Sequence, residues 1–478
     1  MRQFCFVTIC LLIVFNCFAA NEDVWTLQRC VQYAQEHNIS IQQNVLNERL
    51  ARLTLQQSQL SQIPSINASG SYGRSFGRSI DPTTNQFVNA DYDFMSLSGN
   101  ANVLLFGWFQ TRNTIAKNRL SLEAANADLD QLKDDVSLNV ATGYLRALLA
   151  QEQIRVNEYQ VSLSKAQLDQ TKKFAEAGRV PELNVAQLES QLATDSSNLI
   201  SAIADYNASV LDLKALLNLD FAVPFNVQPP EISLADQLNL SAMDPEQIYA
   251  SAARHFGSIR SSELKLEAAQ KSLAAAKAGL YPQLSLGAQT GTSFASTYKE
   301  ATGTLTGIPQ NTGSYIVDTN GIIRPVYQPG YIINYSDVSL GRQFSNNFRQ
   351  TVSLTLTVPL FNAFQSQTAV KQSRINVVSQ ELNRYQAELT LRQNVYKAYN
   401  DAVNSVQKYN AARRAADAST RAYDFAKKRY DLGLTNTVEY LTTQNNQYRA
   451  DANLLSAKYD LIFRLKVIDY YLGKELKL

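Results

Sequence analysis

Apolar positions along this chain follow two rhythms. Within 26–62, 110–177, 182–218, 246–280, 365–432 and 436–472 they recur at helical spacing, as in Leu183, Ala186, Leu188 and Leu192, or Leu454, Leu455, Tyr459 and Ile462. That period predicts α-helices. The apolar stripe is narrow, and the positions around it are rich in Ala, Gln, Asn and Lys. This predicts laterally packed, coiled-coil-like helices with water on one side. At 1.5 Å per residue the two longest runs extend roughly 100 Å and the others roughly 55 Å. Two short helices stacked end to end therefore match one long helix.

The second rhythm is strict alternation. In FRQTVSLTLTVPLF, Val352, Leu354, Leu356, Val358 and Leu360 share one face, and Thr351, Ser353, Thr355 and Thr357 the other. In DFMSLSGNANVLLF, Met95, Leu97, Gly99, Ala101, Val103 and Leu105 oppose Ser96, Ser98, Asn100 and Asn102. Leu284, Leu286, Ala288, Thr290 and Phe294 repeat the pattern more weakly. Segments of about ten residues, apolar on one face and small-polar on the other, resemble outer-membrane barrel strands around a wet lumen. A soluble sandwich, with its apolar faces turned inward, is the competing expectation. Aromatic residues sit near the strand ends: Tyr72, Phe76, Phe106, Trp108, Tyr281, Phe294, Phe348 and Phe361. Four strands per chain are expected, from about 64–107 and 282–361. Lipid tolerates no open sheet edge, so four strands must share a barrel with other copies. Two copies give eight strands and a filled interior, and three give twelve and room for a conduit. Local pattern does not choose between them.

The chain is written twice. With an offset of 218, Ala34, His37, Ile41, Leu46, Leu55, Pro64 and Gly73 fall on Ala252, His255, Ile259, Leu264, Leu273, Pro282 and Gly291. With an offset of 255, LFGWFQ (Leu105 to Gln110) falls on LFNAFQ (Leu360 to Gln365), and Lys172, Lys173 and Gly178 fall on Lys427, Lys428 and Gly433. The expected organisation is a first repeat over 21–220, a linker with four prolines over 221–245, and a second repeat over 246–478. The offsets differ by 37 residues, inserted in the second repeat between its strands. The segment 296–347, with six glycines and three prolines, is expected to be an outward-facing loop; folding back as a partial plug is the alternative.

Glycine and proline punctuate the helices sparingly. No proline follows Pro359, and Gly433 is the only glycine between Phe361 and Tyr471. Gly433 and Gly178 suit the left-handed position just past a helix end. Asn436 with Glu439 resembles a capping box, and Pro181 suits a first helical position. Each pair of helices should therefore form a hairpin with its tip at the glycine.

Composition adds restrictions. Residues 1–20, MRQFCFVTICLLIVFNCFAA, are predicted to be an export signal cleaved after Ala19 or Ala20. A membrane anchor is the competing expectation, and so is lipidation at Cys17, for which Asn16 is a poor neighbour because a small residue is wanted there. No later segment has eighteen consecutive apolar residues. Only Cys30 remains beyond the leader, so no internal disulfide is expected. The chain holds 44 basic and 42 acidic residues, which gives no nucleic-acid footprint. It carries no phosphate-binding glycine loop, no Gly-x-Ser-x-Gly and no Cys/His metal spacing. No catalysis and no cofactor are expected. The two histidines, His37 and His255, occupy equivalent repeat positions; they read as polar positions near a helix start, with a metal or proton role as the alternative.

Taken together, the duplicated helix, strand-pair and helix–glycine turn–helix plan, Pro64 and Pro282 at the strand starts, and the paired glycines resemble the TolC-type outer-membrane efflux protein family. The resemblance covers essentially the whole chain after the leader. It implies a mainly α protein with a membrane β-barrel portion, a homotrimer sharing a 12-stranded barrel and a long α-helical barrel, with the linker and chain ends forming a belt. It implies an outer-membrane location in a Gram-negative bacterium, contact with outer-membrane lipid, and partnership with a periplasmic membrane-fusion adaptor and an inner-membrane transporter. The cargo class, whether drugs, metals or polypeptides, is not implied. By the same resemblance Glu439 would ring the periplasmic aperture and favour cations. Thr442 stands where the family's best-known members have a second acid. Tyr430 would tie neighbouring hairpins, with Asn184 where its acidic partner is expected and Thr435 where an arginine is expected. A less tightly locked mouth follows. Gly178, Arg179, Val180, Gly433, Leu434 and Thr435 would form the adaptor-facing tips. A periplasmic structural or adaptor coiled coil is the rival from another class; it accounts for the helices and leaves the four alternating strands unexplained.

Overall fold

In the computed structural model, residues 24–81, 85–228 and 244–474 are described. The expected export signal with Cys17 and most of the linker lie outside the described residues. In chain order the elements are β1 (Val24–Trp25), α1 (Leu27–His37), α2 (Ile39–Leu60), β2 (Ser65–Ser75), β3 (Arg78–Ile80), β4 (Phe87–Asn89), β5 (Tyr92–Phe106), α3 (Gln110–Glu176), α4 (Glu182–Leu217) and β6 (Asn226–Val227). Then follow α5 (Pro245–His255), α6 (Gly257–Ala278), β7 (Gln283–Ala295), β8 (Lys299–Val317), β9 (Ile323–Asp337), α7 (Leu340–Asn346), β10 (Arg349–Thr357), α8 (Gln365–Asp431) and α9 (Thr437–Tyr471). The two long helices, α3 and α8, have 67 residues each. The elements fall into two compact units, one through Leu53 with Arg119–Ala269 and Asn376–Leu478, the other Thr54–Asn118 with Gln270–Ile375.

The first unit is helical, and its main core forms around Tyr144. That side chain is 1% exposed and packs with Trp25, Cys30, Leu148, Leu213 and Leu217. Its hydroxyl lies 3.0 Å from Trp25 O and 2.7 Å from Gln228 O. It thereby pins the parallel β1–β6 pair against α3. Burial pushes the Cys30 thiol from its ordinary 9.0 up to about 12, and Cys30 is a free cysteine. A second core joins Ile248, Val395, Ala402 and Leu461 from α5, α8 and α9. A third, of Leu168, Val185 and Leu188, closes the α3–α4 hairpin. Each fully buried aliphatic side chain contributes about 1.5–3 kcal/mol.

Three expectations about these helices need correcting. The first helix of each half is not one run of about 37 residues. It breaks at Asn38 and at Phe256, both in extended backbone. The Asn38 carboxamide caps the restart by accepting from Ser40 N–H at 2.9 Å. Gly257 opens the other restart, where a Cβ would lie 2.3 Å from the Ala127 carbonyl of α3. His37 and His255 consequently sit at helix ends, not starts, each with Nδ1 3.0 Å from the carbonyl of the residue four before it. Nor do the polar positions simply face water: Gln160, Ser164, Thr171, Asp195 and Gln444 are all buried.

The second unit holds a four-stranded antiparallel sheet in the order β10-β7-β5-β2. Its register sorts the side chains as the alternation requires. Met95 faces Tyr72 and Phe294, Ala101 faces Ile66 and Ala288, and Leu286 faces Val103 and Leu354. On the other face Ser69–Ser98 and Ser71–Ser96 are hydrogen-bonded at 2.8 Å. The apolar face is bare: Ile66 is 79% and Val352 73% exposed. The helices α2, α3, α6 and α8 join the sheet strands at one end, and the connections β3–β4 and β8–β9 leave from the other. Each strand-to-helix corner carries two consecutive non-glycine residues at positive φ, Trp108–Phe109 and Ala363–Phe364, within the matching LFGWFQ and LFNAFQ segments. The 296–347 segment, expected to be an outward-facing loop, has regular structure of its own. It is an antiparallel ribbon, β8–β9, followed by the short helix α7.

Candidate functional site

The two hairpin turns are built alike. At the first, Gly178 has φ +69; its N–H donates to Ala175 O at 2.8 Å, and Arg179 N–H donates to Phe174 O at 2.8 Å. At the second, Gly433 has φ +71; its N–H donates to Tyr430 O at 2.9 Å, and Leu434 N–H donates to Arg429 O at 2.8 Å. Both are Schellman motifs, with glycine in the left-handed position. Asn436 caps α9 by accepting from Glu439 N–H at 2.8 Å. Pro181 takes the capping position of α4, one residue earlier than its expected place as first helical residue.

The tips present a mixed surface. The Arg179 guanidinium lies 4.7 Å from the Phe174 ring centroid, a cation–π placement. Val180 and Thr435 are half-buried, whereas Leu183, Leu434 and Val438 are exposed.

Glu439 is exposed, and its carboxylate pairs with Arg429 of the same chain at 3.5 Å. The reciprocal half of a capping box is thus replaced by an ion pair of small energetic weight. Thr442 is exposed, and its hydroxyl donates to Val438 O at 2.7 Å on its own helix. The Tyr430 hydroxyl lies 3.4 Å from the Thr171 hydroxyl of α3 in the other hairpin of the same chain. Asn184 is not its partner within the chain; the Asn184 N–H donates to Pro181 O.

Behind the turns lies a buried polar seam that the reading of the sequence overlooked. The Tyr430 and Tyr440 rings stack at 4.5 Å. The Tyr440 hydroxyl, in a side chain 1% exposed, lies 3.2 Å from that of Tyr423 and accepts from Gln167 Nε2. Burial, then the hydrogen bond to Tyr423, raises the Tyr440 pKa. Further along, Gln191 and Asn445 exchange bonds at 3.4 and 3.3 Å, and Tyr448 donates to Asn157 at 2.7 Å. The Asp195 carboxylate, 2% exposed, accepts from Ser164 at 2.5 Å, Gln191 at 2.9 Å and Gln160 at 3.3 Å. These bonds satisfy a buried carboxylate without a counter-charge. Gln444 is 1% exposed with neither amide atom partnered. The signal in the sequence is the spacing Gln160, Ser164, Gln167, Thr171, which is a coiled-coil seam written in polar residues.

This arrangement holds helices by polar contacts that water can replace. Among the described residues, no group of three or more His, Cys, Asp or Glu side chains is placed to hold a metal ion, and no helix is long and apolar enough to cross a membrane.

Comparison with known proteins supplies the context. A family model described as outer membrane efflux protein matches residues 30–219 and 249–473. The outer membrane protein TolC of Escherichia coli (strain K12) is 22% identical over 339 residues, covering 70% of this chain and 61% of that protein. The chain spans between 44% and 61% of the length of the curated relatives it matches. Among solved structures, the outer-membrane channel OprN superposes with a TM-score of 0.72 at 18% identity, over 94% of this chain and 90% of that one. The CmeC outer membrane channel of Campylobacter jejuni gives 0.71 at 17% identity, over 95% and 87%. At these identities the likeness is one of fold.

Proposed function

Because the chain belongs to the outer membrane efflux protein family, we propose that it is the outer-membrane tunnel of a tripartite efflux or type I secretion system. In this reading substrates pass from an inner-membrane pump, through a periplasmic adaptor's docking, across periplasm and outer membrane. The family is one of channels, not enzymes, in the outer membrane of Gram-negative bacteria.

One observation carries the reading. The four-stranded sheet has a bare apolar face, and its outer strands β2 and β10 have no further partner among the described strands. An open edge is not tolerated in hydrocarbon. Successive antiparallel pairings leave β2 and β10 running in opposite directions, so β10 of one copy can continue the ladder against β2 of the next. Three copies give twelve strands and a water-filled lumen, whereas two fill with side chains. The four strands have 9 to 15 residues, enough to cross about 30 Å of hydrocarbon when tilted.

In such a trimer the six hairpin tips form the far mouth. Leu434, Thr435, Arg179 and Val180, with Gly178 and Gly433 setting the turns, face the adaptor. Three copies of Glu439 surround the aperture with Thr442 above them, each acid partly offset by its own Arg429. The Tyr430–Thr171 and Tyr440–Gln167 contacts hold the closed arrangement, and Asn184 stands where the family's acidic partner of Tyr430 would be. The test is extraction of the protein from outer membranes. A heat-modifiable trimer that conducts ions in a planar bilayer is expected. A non-conducting monomer refutes the reading. Cross-linking from Leu434→Cys identifies the adaptor.

A further inference from the structure

The β8–β9 ribbon exposes a long apolar face. Its strands pair only with each other among the described strands, and an isolated two-stranded ribbon is marginal in water. The register places Ala301, Gly303 and Leu305 against Tyr335, Ile333 and Tyr331 on one face, and Glu300, Thr302 and Thr304 against Ser336, Asn334 and Ile332 on the other. On the first face Leu305 is 62%, Tyr331 54%, Ile333 56% and Tyr335 54% exposed. Such an apolar strip, with a reverse that is polar but for Ile332, marks an interaction surface, and tyrosine is enriched where interfaces form.

We propose that this face packs against the ribbon of a neighbouring copy of the same chain, forming a second contact between copies beyond the shared sheet. The proposal rests on the shared-sheet reading given above. Three observations select a second copy as the occupant. First, residues 301–317 and 325–336 contain no Asp, Glu, Lys, Arg or His. The flanking charges are spent internally, in Lys299–Asp337 at 3.6 Å, Arg342–Glu300 at 2.9 Å and Arg324–Asp318 at 3.0 Å. Identical copies therefore meet without like-charge repulsion, while an anionic lipid surface or a charged protein finds no complementary field.

Second, the ribbon is fixed to the sheet at its base. Gln343, 1% exposed, donates to Ala295 O at 3.1 Å and Val338 O at 2.9 Å and accepts from Ala295 N–H at 3.0 Å. Asn347 donates to Ser293 O at 2.7 Å, and Thr292 donates to Phe344 O at 2.8 Å. Closing the sheet thus gathers the ribbons at one rim. Third, β8 has 19 residues, roughly 60 Å of strand at about 3.3 Å per residue. Four strands at about 4.8 Å spacing occupy only roughly 20 Å of the ring before tilt. Laid along the rim, a ribbon of that length would reach past its own chain's share.

The test uses the full chain in outer membranes, with a benzoylphenylalanine photo-cross-linker at Tyr331 or, as the opposite-face control, at Thr302. Light should give a covalent dimer of this chain from position 331 and at least tenfold less from 302. Equal yields, no same-chain product from 331, or capture of a different protein alone overturns the proposal. A second variant, Tyr331→Asp with Ile333→Asp, should lower the temperature at which the extracted oligomer dissociates while single-channel conductance persists; an unchanged temperature overturns it. An unmodified chain that yields only monomer refutes the shared sheet as well, whereas an intact, conducting oligomer without the 331 product refutes the ribbon contact alone.

Discussion

Replacing Tyr440 by Phe is the sharpest test of the buried seam. The change removes one oxygen and leaves the ring stack with Tyr430 in place. It also strips the acceptor from Gln167 Nε2 and the partner from the Tyr423 hydroxyl. Gln167 is 9% exposed and its Oε1 is already without a partner, so its amide would be left wholly unsatisfied. An orphaned buried polar group costs about 1–3 kcal/mol, and the lost hydrogen bond about 1 kcal/mol more. The expected destabilisation of the α3–α9 contact is about 2–4 kcal/mol. At about 1.4 kcal/mol per tenfold, backbone amides of residues 437–444 should exchange roughly 30- to 700-fold faster. Hydrogen exchange read by mass spectrometry on the detergent-extracted protein measures this directly. Gln167→Leu combined with Tyr440→Phe removes both sides of the bond and should recover most of the protection. Protection unchanged within threefold in the single variant, or a double variant as labile as the single one, would refute the reasoning.

Other outcomes follow from the same geometry. Gly433→Ala meets open space but must hold φ +71, so it should cost about 1–2 kcal/mol, with Gly433→Asn milder; the thermal dissociation temperature of the oligomer reports both. The buried Cys30 thiol should resist maleimide at pH 8 in the folded protein and react on unfolding. Its raised pKa contributes stability that is complete below about 9 and declines as pH rises towards about 12, which alkaline denaturation with a Cys30→Ala control can measure. Arg429→Ala frees Glu439 and should raise cation-over-anion permeability, while Glu439→Gln should lower it; reversal-potential measurements decide.

What the sequence disclosed depended on whether a residue's surroundings were local. The strand faces were legible because period-two alternation survives along Tyr92–Phe106 and Arg349–Thr357, and the observed register obeys it. The Schellman turns were legible because Gly433 stands alone in a long helical run and Gly178 matches it at the 255-residue offset. The breaks at Asn38 and Phe256 were hidden because the apolar period runs through them; Gly257 was the available clue, and only α3 explains it. The β8–β9 ribbon was hidden by its own irregularity. Register shifts after Leu305 and Asn311 each place two extra residues on β8 and interrupt the alternation, while Pro309 and Pro329 read as loop residues. The polar seam was hidden for another reason. Gln167, Thr171 and Gln444 look like solvent-facing helix positions until a second hairpin covers them. Tyr430 was found through resemblance, but its contact with Thr171 could not be.

The arrangement of the sheet has one last consequence. Strands in an antiparallel ring must alternate in direction all the way round, so the total must be even. A chain that supplied three or five strands could not close by rotation at all, because the last strand of each copy would run the same way as the first strand of the next. Supplying four strands lifts that restriction. The strand count of one chain thereby makes threefold symmetry available to the whole assembly, before any side chain at the seam between copies is considered.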